Sequence, residues 1–182
     1  IHLQAEQKAI VLAALFNAHP DLHMFVRDTR SYQWAKDKLN QCSITLCPDM
    51  AHQLWPLKPT TETVKDVLYF LRTDIETVGG QKKFDDEADA SHRLDWDTLF
   101  TPLEVKGIVY FQKFYRLNKK IGGPLPTRTF WYKYTDHLMN KAVTLFSSYR
   151  EVRTSRLHGH ILACLLDMPH VVIDNSYGKN SQ

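Results

Sequence analysis

The chain has 182 residues, 43% hydrophobic and 24% charged, with a formal charge of +3 at pH 7. A chain of that length buries roughly 70% of its unfolded surface, which fits one soluble domain or one domain and part of another. The small charge and the lack of a dense basic run exclude an extended nucleic-acid surface, and no stretch approaches the ~20 apolar residues of a membrane span or the pattern of a signal peptide.

A weakly positive chain is still compatible with a local site for an anionic small molecule. The three cysteines, Cys42, Cys47 and Cys164, are an odd number with no second pair to complete a zinc pattern. They read as free thiols in a reducing compartment. The chain starts at Ile1, already inside helical periodicity, and so reads as a piece of a longer protein.

Taken in order, Gln4 to Ala18 has helical spacing, with Ile10, Leu12, Ala13, Leu15 and Phe16 forming an apolar face. Leu22 to Val26 reads as a short strand that hands over through Arg27-Asp28-Thr29-Arg30-Ser31 to a helix ending near Asn40. Ser43 to Leu46 is a second strand, closed by Pro48-Asp49, and Met50 to Trp55 a short helix. Pro56-Leu57-Lys58-Pro59-Thr60-Thr61 is the expected linker, because two close prolines stop either kind of element.

Asp66 to Leu71 then forms a β-branched and aromatic strand ending at Arg72. A polar loop with Gly79-Gly80 and a solvated acidic run, Asp85-Asp86-Glu87, follows. Thr101-Pro102-Leu103-Glu104 carries two agreeing helix-start signals, a capping box and a proline at the first helical position. Val105, Ile108, Val109, Phe111 and Tyr115 are that helix's apolar positions, and Gly122-Gly123-Pro124 ends it. An aromatic-rich helix runs from Arg128 to Ser148, and a short strand from Glu151 to Thr154.

The expected fold class is α/β, with two Rossmann-like layers: residues 1–57 as the incomplete first domain and 58–182 as the second. In such sheets ligands sit at the carboxyl ends of the strands, beside helix N-termini. That rule singles out Arg27, Asp49, Arg72, the turn at Arg156 and His158, and the loop at Asn175.

The sharpest signal is Thr154-Ser155-Arg156-Leu157-His158-Gly159-His160. Ser155 is the expected N-cap. Arg156, Leu157 and His158 then fall in a first turn whose N–H groups and dipole favour an anion. His158 shares a side with Ile161, Leu162 and Leu165, so a satisfied core histidine competes with a catalytic one. For Arg156 the competing reading is a surface salt bridge. His160 points elsewhere and reads as structural. His158 and His160 stand about 200° apart around a helix and cannot pinch one metal ion. After a buried strand from Pro169, Asn175, Ser176 and Lys179 lie in a polar loop, although Asn and Ser are ordinary turn residues too. Asp28 and Asp49 read as local caps or turn formers.

Thr154 to Leu162, Pro169-His170-Val171 and Asp174 to Lys179 together resemble the polysaccharide pyruvyl transferases. Arg27-Asp28 with Ser31, Pro48 to Ala51, and Arg72-Thr73-Asp74 with Glu76 add weaker matches. The resemblance implies two Rossmann-like domains in an arrangement like the GT-B glycosyltransferases. The glycine-rich opening of the first domain and a final helix after Gln182 are not among these residues.

The implied reaction moves a pyruvyl unit from phosphoenolpyruvate to two hydroxyls of a sugar, giving a ketal and phosphate. The acceptor would be an exopolysaccharide or cell-surface glycan, or its lipid- or nucleotide-linked precursor. His158 would be the acid/base group. Arg156, Leu157, Arg72, Arg27, Asn175, Ser176 and Lys179 would bind substrate. Phosphoenolpyruvate is the donor, and neither metal nor other cofactor is expected. The expected compartment is the cytoplasm, with membrane association or a secretory lumen left open. A nucleotide-sugar glycosyltransferase and a non-catalytic carbohydrate-binding relative are the alternatives.

Overall fold

The computed structural model describes residues 2–72 and 82–173. They divide into two compact units, one up to Gln53 and one from Leu54 onward.

In the first unit, α1 (His2–Asn17) precedes β1 (His23–Val26), α2 (Thr29–Lys38), β2 (Ser43–Leu46) and a 3-10 turn at Met50–Leu54. The two strands pair in parallel, His23 opposite Ser43 and Val26 opposite Leu46. Ala35, Leu39 and Ile44 form a small core, against which Ala13, Phe16, Met24 and Val26 pack. The apolar face expected of α1 is only partly used, since Ile10, Leu12 and Leu15 are exposed. A two-stranded sheet gives that helix little surface to cover.

In the second unit, β3 (Lys65–Phe70) is followed by α3 (Lys82–Glu87), β4 (Arg93–Leu94), α4 (Trp96–Leu99), α5 (Pro102–Lys120), α6 (Thr127–Ser147), β5 (Tyr149–Thr154), α7 (Leu157–Leu165) and β6 (His170–Val172). The strands form one sheet in the order β4-β3-β5-β6, and every pairing is parallel. Leu68 and Phe70 of β3 alternate inward with Val152 of β5, as a half-buried strand does. They meet Phe146 of α6 and Leu162 and Ala163 of α7 in the larger core.

The mixed α/β class and its parallel sheets agree with the sequence expectation. Four details differ. The acidic run lies on α3, where Glu87 pairs with Arg153 at 2.7 Å, and the Gly79-Gly80 stretch is outside the described residues. The strand after Pro169 sits at the sheet edge, with Val171 exposed. On α5 the capping box forms as expected, yet Val105, Val109 and Tyr115 are exposed. That helix meets α6 instead through the tilted ring pair of Phe111 and Trp131 and through the Tyr134 hydroxyl, which donates to the Glu104 carbonyl.

The proline-rich stretch is also no free tether. Leu57 N–H donates to the Leu165 carbonyl at 2.8 Å, and the Thr60 hydroxyl meets that of Thr144 at 2.8 Å. Among the described residues no helix is long and apolar enough to cross a membrane.

Candidate functional site

Because all four strands of the second unit run parallel, their carboxyl ends share one edge. Phe70 lies opposite Leu94 and Thr154, and Thr154 opposite Val172. The residues just beyond those four positions therefore form a row: Asp95, Leu71-Arg72, Ser155-Arg156 and Ile173. The chain steps from β3 to β4 on one side and then returns to β5 and β6 on the other. The strand order thus reverses between β3 and β5. In open α/β sheets that reversal opens the crevice where ligands bind, and here it is flanked by Arg72 and by the turn from Ser155 to His158.

The turn is built by bonds that reach across the sheet. The Thr154 hydroxyl donates to the Phe70 carbonyl at 2.8 Å and accepts from Arg156 N–H at 3.0 Å. Arg156 stays extended, at φ −96° and ψ 124°, so α7 starts at Leu157 and Arg156 takes the cap position without a side-chain cap bond. This corrects the expectation that Ser155 caps the helix with Arg156 in its first turn. The buried Ser155 hydroxyl instead accepts Arg72 N–H at 3.0 Å, joining the ends of β3 and β5. Leu157 and His158 remain in the first turn, where helix N–H groups point outward.

Arg156 meets a partner that sequence reasoning missed. Its Nε donates to Asp95 Oδ1 at 2.7 Å and its Nη2 to Oδ2 at 2.5 Å. Asp95 is fully buried and the Arg156 side chain is 14% exposed, so this is an enclosed bidentate pair rather than a surface contact. The same carboxylate accepts Trp96 N–H at 2.7 Å and caps α4 in a capping box with Thr98. The sequence does carry a trace of this, since Asp95 and Thr98 have capping-box spacing ahead of Leu99 and Phe100.

His158 is exposed, whereas Ile161, Leu162 and Leu165 are buried. The core reading of His158 therefore fails. Gly159 is the residue that meets the sheet: a Cβ there would stand 2.7 Å from Thr154 Oγ1 and 2.9 Å from Phe70 Cδ1. A side chain at 159 would push α7 off the strand ends and take His158 with it.

His160 faces away from His158, and its Nδ1 lies 2.9 Å from His170 Nε2 at the start of β6. Cys164, one turn further along α7, stands within 3.7 Å of both rings. Burial pushes its thiol above the usual range.

In the first unit, Arg27 follows β1 and donates to Asp49 Oδ2 at 2.9 Å. The pair borders an open cavity of about 260 Å³ at the carboxyl ends of β1 and β2, together with Phe25, Cys47 and Met50. Asp28 caps α2 by accepting Ser31 N–H at 2.7 Å. That bond, then the Ser31 hydroxyl and the nearby Arg27 and Arg30, holds its carboxyl below the ordinary value. Asp49 accepts Ala51 N–H at 3.1 Å and so begins the 3-10 turn. Both aspartates act as local turn formers, as their positions suggested.

The structure thus brings Arg72, Arg156, Leu157 and His158 to one sheet edge, and holds Arg27 at the strand ends of the other unit. Asn175, Ser176 and Lys179 lie outside the described residues.

Residues 6–177 match the family described as Polysaccharide pyruvyl transferase. The chain is 41% identical over 181 residues to "Putative pyruvyl transferase EpsO" of Bacillus subtilis (strain 168), covering 100% of this chain and 55% of that protein. It is 30% identical over 176 residues to "Pyruvyl transferase 1" of Schizosaccharomyces pombe, covering 94% of this chain and 41% of that protein. The chain therefore spans about half the length of these curated relatives.

Proposed function

Because the chain belongs to the polysaccharide pyruvyl transferase family, we propose that it takes part in moving the pyruvyl unit of phosphoenolpyruvate onto two hydroxyls of a sugar. The acceptor in this reading belongs to an exopolysaccharide or cell-surface glycan, met as a lipid- or nucleotide-linked precursor in the cytoplasm. The observation that supports it most is the strand-order reversal between β3 and β5. An arginine and an exposed histidine beside a helix N-terminus flank it.

The chemistry asks for a proton donor and for anion-binding groups. Protonation of the methylene carbon of phosphoenolpyruvate makes C2 an electrophile, and a sugar hydroxyl adds to it, losing its proton. The C2–O bond to phosphate then breaks, phosphate leaves with the bonding pair, and the second hydroxyl adds at C2 to close the ketal, its proton passing to the departing phosphate. The reaction uses no oxidant or reductant, and general acid/base catalysis suffices for its proton transfers.

His158 is the group we assign to the proton transfers. Arg72 and the first-turn N–H groups of Leu157 and His158 receive the phosphate and carboxylate of the donor. Arg156, held by Asp95, positions the turn. Asn175, Ser176 and Lys179 contribute further donor contacts, and Arg27 a contact at the strand ends of its own unit. A proposed two-domain arrangement like the GT-B enzymes, divided near residue 57, belongs to the same reading.

The test is phosphate release by the full-length enzyme given phosphoenolpyruvate and candidate glycan acceptors. Turnover in His158→Ala should fall by about 10²–10⁴-fold. Unchanged turnover removes the catalytic assignment, and saturable use of a nucleotide sugar without phosphoenolpyruvate removes the reaction.

A further inference from the structure

We propose that His160, Cys164 and His170 form a binding site for a divalent transition-metal ion of the zinc class, separate from the groups assigned to pyruvyl transfer. His160 and Cys164 stand one helical turn apart on α7, on the face away from His158, and His170 opens β6. One ligand atom from each lies within 4.8 Å of the other two, and all three residues are partly buried. The cluster is therefore enclosed yet reachable.

The distances fit a tetrahedral ion. Bonds of about 2.0–2.1 Å to nitrogen and 2.3 Å to sulfur, at tetrahedral angles, separate two nitrogens by about 3.3 Å and a nitrogen from the sulfur by about 3.6 Å. Here the two nitrogens are 2.9 Å apart, and the sulfur is 3.7 Å from His160 Nδ1 and 3.6 Å from His170 Nε2. The nitrogen pair is the tighter one because the rings share a hydrogen bond, and a small ring rotation opens it to the ligand spacing.

The lone pairs are also directed correctly. His170 Nδ1 lies 2.8 Å from the Met168 carbonyl, which can only accept. That nitrogen therefore carries the ring's proton, and Nε2 turns its lone pair toward His160 and Cys164. A backbone carbonyl holding the far nitrogen is the outer contact that metal-bound histidines use to fix tautomer and ring orientation. His160 Nδ1 donates to that lone pair in the present arrangement. On coordination its proton moves to Nε2, while the Cys164 thiol releases its proton to solvent and binds as thiolate.

Two imidazoles and one thiolate suit zinc rather than the oxygen-seeking magnesium or calcium. Three protein ligands leave one tetrahedral position for water or another small ligand. The ion would pin α7 to the start of β6, two residues from His158. It would steady the catalytic turn without touching the reacting atoms.

The site is tested by titrating cobalt(II) into the full chain carrying Cys42→Ala and Cys47→Ala, so that Cys164 is the one remaining thiol. The expected result is a single equivalent bound, with thiolate-to-cobalt charge-transfer absorption and tetrahedral d–d bands, all displaced by zinc. Cys164→Ser should abolish the charge-transfer band, and His160→Gln or His170→Gln should weaken binding at least about tenfold. Zinc-edge absorption of the unsubstituted chain provides a check free of mutations, with one sulfur and two imidazoles expected around the ion. Absence of the charge-transfer band, a band indifferent to both histidine substitutions, or a first shell without sulfur would each overturn the proposal and leave the cluster as a hydrogen-bonded contact. These outcomes are independent of phosphate release, so failure here leaves the proposed transfer reaction standing.

Discussion

Asp95 grips Arg156 with both carboxylate oxygens, at 2.7 and 2.5 Å, and so ties the end of β4 to the end of β5 past the intervening β3. Neither residue is adjacent to the other in sequence or in the sheet. Through this pair the short edge strand β4 holds the turn that presents His158.

Removing Arg156 should therefore be costly. Arg156→Ala leaves the carboxylate of a fully buried Asp95 without its bidentate partner, and breaking a buried pair from one side costs about 3–5 kcal/mol. Urea unfolding of the variant should show that loss. Arg156→Lys should recover only part of it, because an ammonium cannot offer the two parallel N–H bonds. A loss below about 1 kcal/mol in Arg156→Ala would mean that the pair behaves like an exposed one.

Gly159→Ala is the smallest change that tests how closely α7 must approach the sheet. Its new methyl would fall 2.7 Å from Thr154 Oγ1 and 2.9 Å from Phe70 Cδ1, and neither is the free end of a flexible chain. Overpacking of this kind costs about 1–3 kcal/mol. Thermal melting should register that loss, and turnover should fall further than stability alone explains, because the displaced helix carries His158. A variant as stable as the parent would show that α7 can slide without cost.

Ser155→Ala separates the two roles read for this serine. Loss of its hydroxyl leaves Arg72 N–H without that acceptor, an expected cost of about 1–2 kcal/mol. If Arg72 receives the donor, KM for phosphoenolpyruvate should rise more than kcat falls. An unchanged KM would remove Arg72 from donor binding.

Glu104 predicts an acid-sensitive contact between α5 and α6. Its carboxylate accepts from Lys141 Nζ at 2.7 Å and from Thr101 N–H at 2.7 Å. The Lys141 bond first, then the Thr101 bonds, lower its pKa from 4.5 to about 2. A folded-state pKa below the unfolded one means that the contribution is fully present above the unfolded value and is lost as pH falls toward 2. The urea midpoint of the parent should thus drop across that window more steeply than that of Glu104→Gln. Parallel profiles would remove the linkage.

Much of the fold was legible because its signals are local. Thr101 and Glu104 cap α5 as their spacing indicates, Asp28 caps α2 through Ser31, and the strands at 43–46 and 65–70 follow their β-branched and apolar runs. Each of these depends on residues within a few positions of one another. The same reading failed at α5, where Val105, Val109 and Tyr115 keep helical spacing but are exposed. Periodicity specifies a face and cannot say what covers it.

The candidate site divides in the same way. Residue order alone determined the α/β class, the strand ends where Arg27, Arg72 and Arg156 stand, and the motif from Thr154 to His160. Tertiary structure decided which of these meet, and how. The two-residue strand β4 is too short to show a period, yet its pairing with β3 creates the strand-order reversal beside Arg72. The Ser155 hydroxyl could have served a local N–H, but Arg72 N–H, 83 residues away, takes it. Asp95 reaches Arg156 across 61 residues, and His170 comes to His160 and Cys164 only because β6 lies down beside β5. Hydrogen-bonding groups choose among all donors that the fold brings within about 3 Å, and for this chain those partners lay far outside any local window of sequence.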